Sequence, residues 1–155
     1  TVTHGSSSVS KEEVMNALRG DVSCRMGNKL EKSALEAYGT ARQKVVAERQ
    51  KGYGSGVLLT PDNNNFRLYG RPDGVCEDEL IETKNRRNRF LNVPKYEKVQ
   101  LHVYMYLTSL RKGKLLENYN GDQRVHDVPF DQEFWDEIME KLGVSVDEIA
   151  RNLSS

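Results

Sequence analysis

Gly70-Arg71-Pro72-Asp73-Gly74 and, a few residues on, Leu80-Ile81-Glu82-Thr83-Lys84 decide how this chain is read. Residues two apart in a strand project to one face, so Glu82 and Lys84 share a face and Thr83 points the other way while still offering its backbone carbonyl. A hairpin over residues 66–75 and 79–84, turning at Glu77-Asp78, pairs Val75 with Leu80 and Asp73 with Glu82. Two acids in that position repel by about 4 kcal/mol at 4 Å with an effective dielectric near 20. The pair therefore calls for a positive charge between its members.

Working outward, Ser10 with Glu13 three residues on forms a capping-box signature for a short helix ending near Gly20, and a second helix is expected over residues 26–38. The wheel of that second helix places Gly27, Leu30, Glu31, Ala34, Leu35 and Tyr38 on one side, which sets a carboxylate on an apolar face. Residues 43–75 read as strand material with a turn at Pro61-Asp62-Asn63-Asn64-Asn65, although residues 40–50 suit a continuation of the helix equally well. Pro94 announces a helix from Lys95 to Arg111, stopped by Gly113; its core face is formed by Tyr96, Val99, Val103 and Leu110, with Gln100 and Tyr104 at its edge. Asn120-Gly121-Asp122 marks a second hairpin. A helix from Asp131 carrying Phe134, Trp135, Ile138, Met139 and Leu142 follows, with a short separate helix over residues 144–153. Helices alternating with a set of strands argue for an α/β or α+β sheet with helices packed on it.

The length of 155 residues fits one domain, expected over residues 11–155 behind a flexible serine-rich lead at 1–10, and the chain reads as one piece of a longer protein. Twenty-three basic side chains balance 23 acidic ones, so the overall charge selects no partner; the local run Lys84, Arg86, Arg87 and Arg89, with Lys95 and Lys98, is more informative. Cys24 and Cys76 lack zinc-ligand spacing and suit a reducing, intracellular compartment. No apolar stretch approaches the ~20 residues of a membrane helix, and no secretory leader is evident.

Asp73, Glu82 and the Thr83 carbonyl are hard oxygen donors that suit Mg²⁺, with Mn²⁺ as a substitute. Lys84 on the same face can orient an attacking water or stabilise charge on a phosphate, which is the chemistry that phosphodiester hydrolysis demands. Gln100 and Tyr104 can hydrogen-bond a phosphate or the lysine. An acid such as Glu31 on a core-facing stripe needs a partner, and a metal shell supplies one. His102 is expected to face away from this site and His126 has no nucleophile beside it, so no triad is indicated. The glycines at 52, 54 and 56 form no Walker-type loop.

The ordered set Gly27-x-x-x-Glu31 with Ala34 and Tyr38, Pro72-Asp73-Gly74, Glu82-Thr83-Lys84 and Gln100-x-x-x-Tyr104 resembles the PD-(D/E)xK nuclease superfamily, nearest its RecB-like and YqaJ or lambda-exonuclease group. Many RecB-like members carry a histidine in the first helix, where this chain reads Gly27-Asn28-Lys29-Leu30-Glu31, and this departure favours a resemblance to the lambda-type version. The resemblance implies a restriction-endonuclease-like core, a central mixed β-sheet flanked by helices. It implies Asp73, Glu82, Thr83 and Glu31 about the metal, Lys84 as the catalytic lysine, and Gln100 and Tyr104 in phosphate binding. The expectation is a Mg²⁺-dependent deoxyribonuclease, exonuclease or endonuclease, with Arg86, Arg87, Arg89, Lys95 and Lys98 on the DNA backbone. Its setting would be recombination, repair or viral and phage genome processing. The alternative is a nucleic-acid binding module on the same fold that does not cut.

Overall fold

The computed structural model describes residues 8–20, 22–26 and 51–154. Helix α1 (Lys11–Ala17) begins at the expected capping box: the Glu13 amide donates to the Ser10 hydroxyl (3.1 Å), and the Ser10 amide donates to the Glu13 carboxylate (3.0 Å). It ends one turn short of Gly20, and its Val14 and Ala17 enter the core.

Among the described residues, eight strands form two sheets. β1 (Val22–Met26), β2 (Tyr53–Gly54), β3 (Leu58–Leu59) and β4 (Asn65–Gly70) make an antiparallel sheet in which β4 pairs with each of the others. The sequence does not announce β1. Five residues with serine and arginine inside them have little intrinsic preference, and pairing with β4, from Val22 opposite Gly70 to Met26 opposite Phe66, makes them a strand. β5 (Gly74–Cys76), β6 (Glu79–Asn85), β7 (Lys112–Tyr119) and β8 (Asp122–Asp127) make the second, mixed sheet. The mixed sheet expected from the sequence is thus present, with an antiparallel companion rather than as one continuous sheet.

The β5–β6 hairpin has the expected register: Val75 lies opposite Leu80 and Gly74 opposite Ile81, with Glu77 at φ 56° in the turn. β6 and β7 run parallel, joined by α2 (Lys95–Thr108), and β7 turns into β8 through Asn120 (φ 52°) and Gly121 (φ 83°), the backbone a two-residue hairpin needs.

Helix α2 touches β4 of one sheet and β6 and β7 of the other, and packs on α1 and on the last helix as well. That placement corrects two expectations. Leu101, His102 and Met105 are buried along with Val99 and Val103, while Tyr96, assigned to the core face, is 40% exposed. A helix covered on most sides has no single apolar stripe for a wheel to find. The helix also stops at Thr108, where Ser109 adopts the left-handed conformation (φ 59°), rather than at Arg111. Close approach to β4 needs Gly70: a Cβ there would stand 3.0 Å from the Tyr104 ring and 3.1 Å from Leu107.

Helix α3 (Gln132–Ser154) is a single helix, so no separate element begins at Val144. Gly143 faces Pro61, and buried Asp147 accepts hydrogen bonds from the Thr60 hydroxyl, the Asn64 amide group (2.8 Å) and the Asp62 backbone (3.2 Å). The docked turn rewards continuity of the helix. Phe134, Trp135, Ile138, Leu142 and Val146 form its core face.

Arg86, just past β6, ties this arrangement together. Its guanidinium donates to both oxygens of Glu97 on α2 (2.7 Å each) and to Glu117 on β7 (2.7 Å). Glu117 also accepts from the Leu91 amide (2.8 Å) and bonds His126 Nε2 (2.7 Å). Removing the guanidinium leaves two buried carboxylates facing each other, so Arg86→Ala is expected to lower unfolding stability by about 3–5 kcal/mol in urea titrations. A loss below about 1 kcal/mol, the worth of an exposed pair, contradicts this role.

Candidate functional site

β5 starts at Gly74, so Asp73 sits at the mouth of the hairpin, fixed by Pro72 before it and the strand after it. Its backbone amide donates to Glu82 Oε1 (3.1 Å), and its own Oδ2 accepts from the Thr83 amide (2.8 Å). The two acids therefore interlock through backbone amides, Asp73 reaching toward β6 and Glu82 reaching back. A strand residue's N–H and C=O leave from the same edge, so the Thr83 carbonyl also faces the edge where Asp73 lies.

On the face of β6 that Glu82 shares, Lys84 Nζ stands 3.6 Å from Glu82 Oε2 and donates to Gln100 Oε1 at 3.4 Å. Gln100 in turn donates from Nε2 to the Ala17 carbonyl at the end of α1 (3.4 Å). That carbonyl sets which end of the amide faces the lysine, and nothing in the sequence announces it.

Glu82 is only 4% exposed. Burial first, and then the negative charge of Asp73, push its carboxyl up to about 8, against the opposing pull of Lys84 and the Asp73 amide. Lys84 faces Glu82, and Asp73 lies beside it. Paired hard oxygens suit a divalent cation, and Asp73, Glu82 and the Thr83 carbonyl are the groups that would hold it. Among the described residues no cluster of three or more His, Cys, Asp or Glu side chains gathers, so these two carboxylates and a backbone oxygen make up the described donor set. Glu31, with Gly27, Ala34 and Tyr38, lies outside the described residues.

Other expected residues divide. Arg87 and Arg89 are exposed and Lys95 is half-buried. Arg86 is corrected out of the backbone-contacting group, because both edges of its guanidinium are committed to Glu97 and Glu117. Lys98 lies 4.2 Å over the Phe134 ring, on the α3 side of the helix. Tyr104 is buried against Gly70 rather than presented at the helix edge. His102 does face away: the Asp131 amide donates to its Nε2 (3.0 Å), its Nδ1–H donates to the Lys98 carbonyl (2.8 Å), and burial lowers it to about 4, keeping the ring neutral. Glu117 went unremarked in the sequence, although its alternation with Gly113 and Leu115 on β7 points it inward.

No protein-family model matches the chain, and no curated protein does. Among solved structures, that of SSO0001 superposes with a TM-score of 0.51 at 18% identity, over 71% of this chain and 55% of that one. The chain therefore spans little more than half of that protein, and the likeness is one of fold. Two structures of the alkaline exonuclease LHK-Exo from Laribacter hongkongensis also align. One has a TM-score of 0.39 at 16% identity, over 77% of this chain and 72% of that one. The other, in complex with dAMP, has 0.41 at 14%, over 96% and 94%. Among the described residues no helix is long and apolar enough to cross a membrane.

The raised Glu82 carboxyl has a consequence for stability. Between pH 4.5 and about 8 the folded chain holds a proton that the unfolded chain releases, so without divalent cations stability is expected to fall as pH rises through that window. Denaturant titrations across the window should show this slope in the wild type and a flatter one in Glu82→Gln. An equal slope in both contradicts the assignment.

Proposed function

We propose that this protein is a divalent-cation-dependent nuclease that hydrolyses DNA phosphodiester bonds, with Mg²⁺ as its cation and Mn²⁺ as a substitute. The observation that carries the reading is the interlocked pair Asp73 and Glu82, with the Lys84 ammonium on the same strand face 3.6 Å from Glu82. When bound, the cation supplies charge neutralisation at the phosphate and lowers the pKa of attacking water.

The chain's own groups do the rest. Backbone amides hold the carboxylates in place, so Asp73 and Glu82 are presented without side-chain searching. Gln100, anchored on the Ala17 carbonyl, directs its oxygen to Lys84 and keeps the ammonium over the site. Lys84 can then hydrogen-bond a phosphate oxygen as negative charge builds there, or orient the attacking water. Arg87 and Arg89, exposed just beyond β6, can hold the backbone on either side of the scissile bond without reading sequence. Glu31 joins the proposed metal set from the motif resemblance alone, and recombination, repair or viral and phage genome processing are the settings proposed on the same ground.

Asp73→Asn and Lys84→Ala are each expected to reduce Mg²⁺-dependent cleavage of labelled DNA by at least about a hundredfold while circular dichroism stays unchanged. Wild-type cleavage by either folded variant overturns the reading. Cleavage lost in EDTA while DNA binding persists supports it, and binding without cleavage in Mg²⁺ and Mn²⁺ alike points instead to a non-cutting module. Arg87→Ala and Arg89→Ala should each weaken binding across sequences and reduce the salt slope by about one. Filter-binding titrations across salt measure this, and an unchanged slope removes these residues from the interface.

A further inference from the structure

The antiparallel sheet carries a cationic feature that the proposed chemistry leaves unused. Along β4, Phe66, Leu68 and Gly70 turn to the core, which leaves Arg67 and Tyr69 on the outer face. The register sets Arg25 of β1 directly opposite Arg67, and Ser23, two residues before Arg25, opposite Tyr69. Both arginines and the tyrosine ring therefore share one face. Like charges directly opposite each other in a sheet repel across about 5 Å. Nothing in the sheet offsets this: none of its four strands carries an aspartate or glutamate, whereas the mixed sheet carries Glu79, Glu82, Glu117, Asp122 and Asp127.

The Arg25 guanidinium lies 4.1 Å over the Tyr69 ring. Its Nε and Nη2, the two N–H groups along one side of the planar fork, are withdrawn from water and have no hydrogen-bond partner among the described residues. Arg86 shows the contrast, since its Nε, Nη1 and Nη2 are all engaged by carboxylates. The side edge of a guanidinium matches two oxygens of one carboxylate or phosphate. An unpaired edge, a second arginine facing it and a sheet without acids together form the complement of an oxyanion.

Position selects the source of that oxyanion. β4 leads through Arg71 and Pro72 straight to Asp73, so Arg67 stands six residues from the proposed metal ligand, no more than about 20 Å along the chain. A DNA strand is a row of phosphates that covers this distance in about six nucleotides at roughly 3.4 Å each. Resting on the nuclease reading above, we infer that Arg25 and Arg67 form a second contact for the DNA backbone, taking a phosphate remote from the scissile bond. Arg25 supplies the two parallel donors, with its plane held by Tyr69, and the exposed Arg67 closes on the same phosphate from the neighbouring strand. The contact gives affinity and register without reading sequence.

The test is binding of a labelled duplex of about 20 base pairs in EDTA, read by fluorescence anisotropy across salt, which separates binding from cleavage. Arg25→Met keeps an apolar stem over Tyr69 and removes the fork; Arg67→Ala removes the charge opposite. Each is expected to weaken binding roughly tenfold and to lower the salt slope by about one. Arg25→Lys, which keeps the charge and loses the fork, should keep the slope and recover only part of the affinity. Free Arg25→Met should melt at or above the wild-type temperature, because an unpaired charge facing a like charge has gone, and Mg²⁺-dependent hydrolysis of bis(p-nitrophenyl) phosphate, too short to span both contacts, should be unchanged in both variants. Wild-type affinity and slope in Arg67→Ala or Arg25→Met overturn the contact, as does a lowered melting temperature in Arg25→Met or a matching loss on the small diester. A slope lowered by both variants in a protein that cuts nothing in Mg²⁺ or Mn²⁺ upholds the contact and sinks the nuclease reading; DNA cleavage with unchanged slopes does the reverse. A wild type without salt-dependent affinity for the duplex overturns both.

Discussion

One guanidinium sets the frame on which the rest is built. Arg86 leaves the end of β6, grips Glu97 in the first turn of α2 and reaches Glu117 in β7, so the strand, the crossover helix and the next parallel strand are fixed through a single side chain. Hydrogen bonding to Glu97 raises the Arg86 pKa further, so the guanidinium keeps its charge. Gln100 stands just under one turn beyond Glu97 on α2, and its position over Lys84 follows from where Arg86 holds that helix.

Two buried glutamates on neighbouring strands show how environment divides structural from chemical roles. Burial pushes Glu117 up, but the Leu91 amide, Arg86 and His126 together outweigh it and hold its carboxyl below the usual range. Glu82 is pushed up first by desolvation and then by Asp73 beside it, against a single lysine at 3.6 Å, and its carboxyl rises to about 8. Similar residues on adjacent strands of one sheet thus reach opposite states. Glu117 stabilises the crossover; Glu82, set beside a second acid, suits a cation.

The sequence discloses the site more readily than the architecture around it. Period-two alternation and the Glu77-Asp78 turn are local signals, and they suffice to bring Asp73 to Glu82 and to set Lys84 on the same face. The capping box at Ser10 and the Asn120-Gly121 turn are local too, and each forms as expected. What stays hidden depends on partners far along the chain. β1 exists because β4 pairs with it; α2 is buried on nearly every side because elements of both sheets and the helices α1 and α3 cover it; Arg86 looks like one more member of a basic run until Glu97 and Glu117 arrive from elsewhere. A run of arginines reads alike whether each faces solvent or a buried acid.

Asp147 bears on the order in which the chain can settle. The turn at residues 60–64 presents a hydroxyl, a side-chain amide and a backbone amide to a carboxylate more than eighty residues downstream. During synthesis those groups emerge long before their acceptor, so the β3–β4 end of the antiparallel sheet gains this anchor only once α3 has been made.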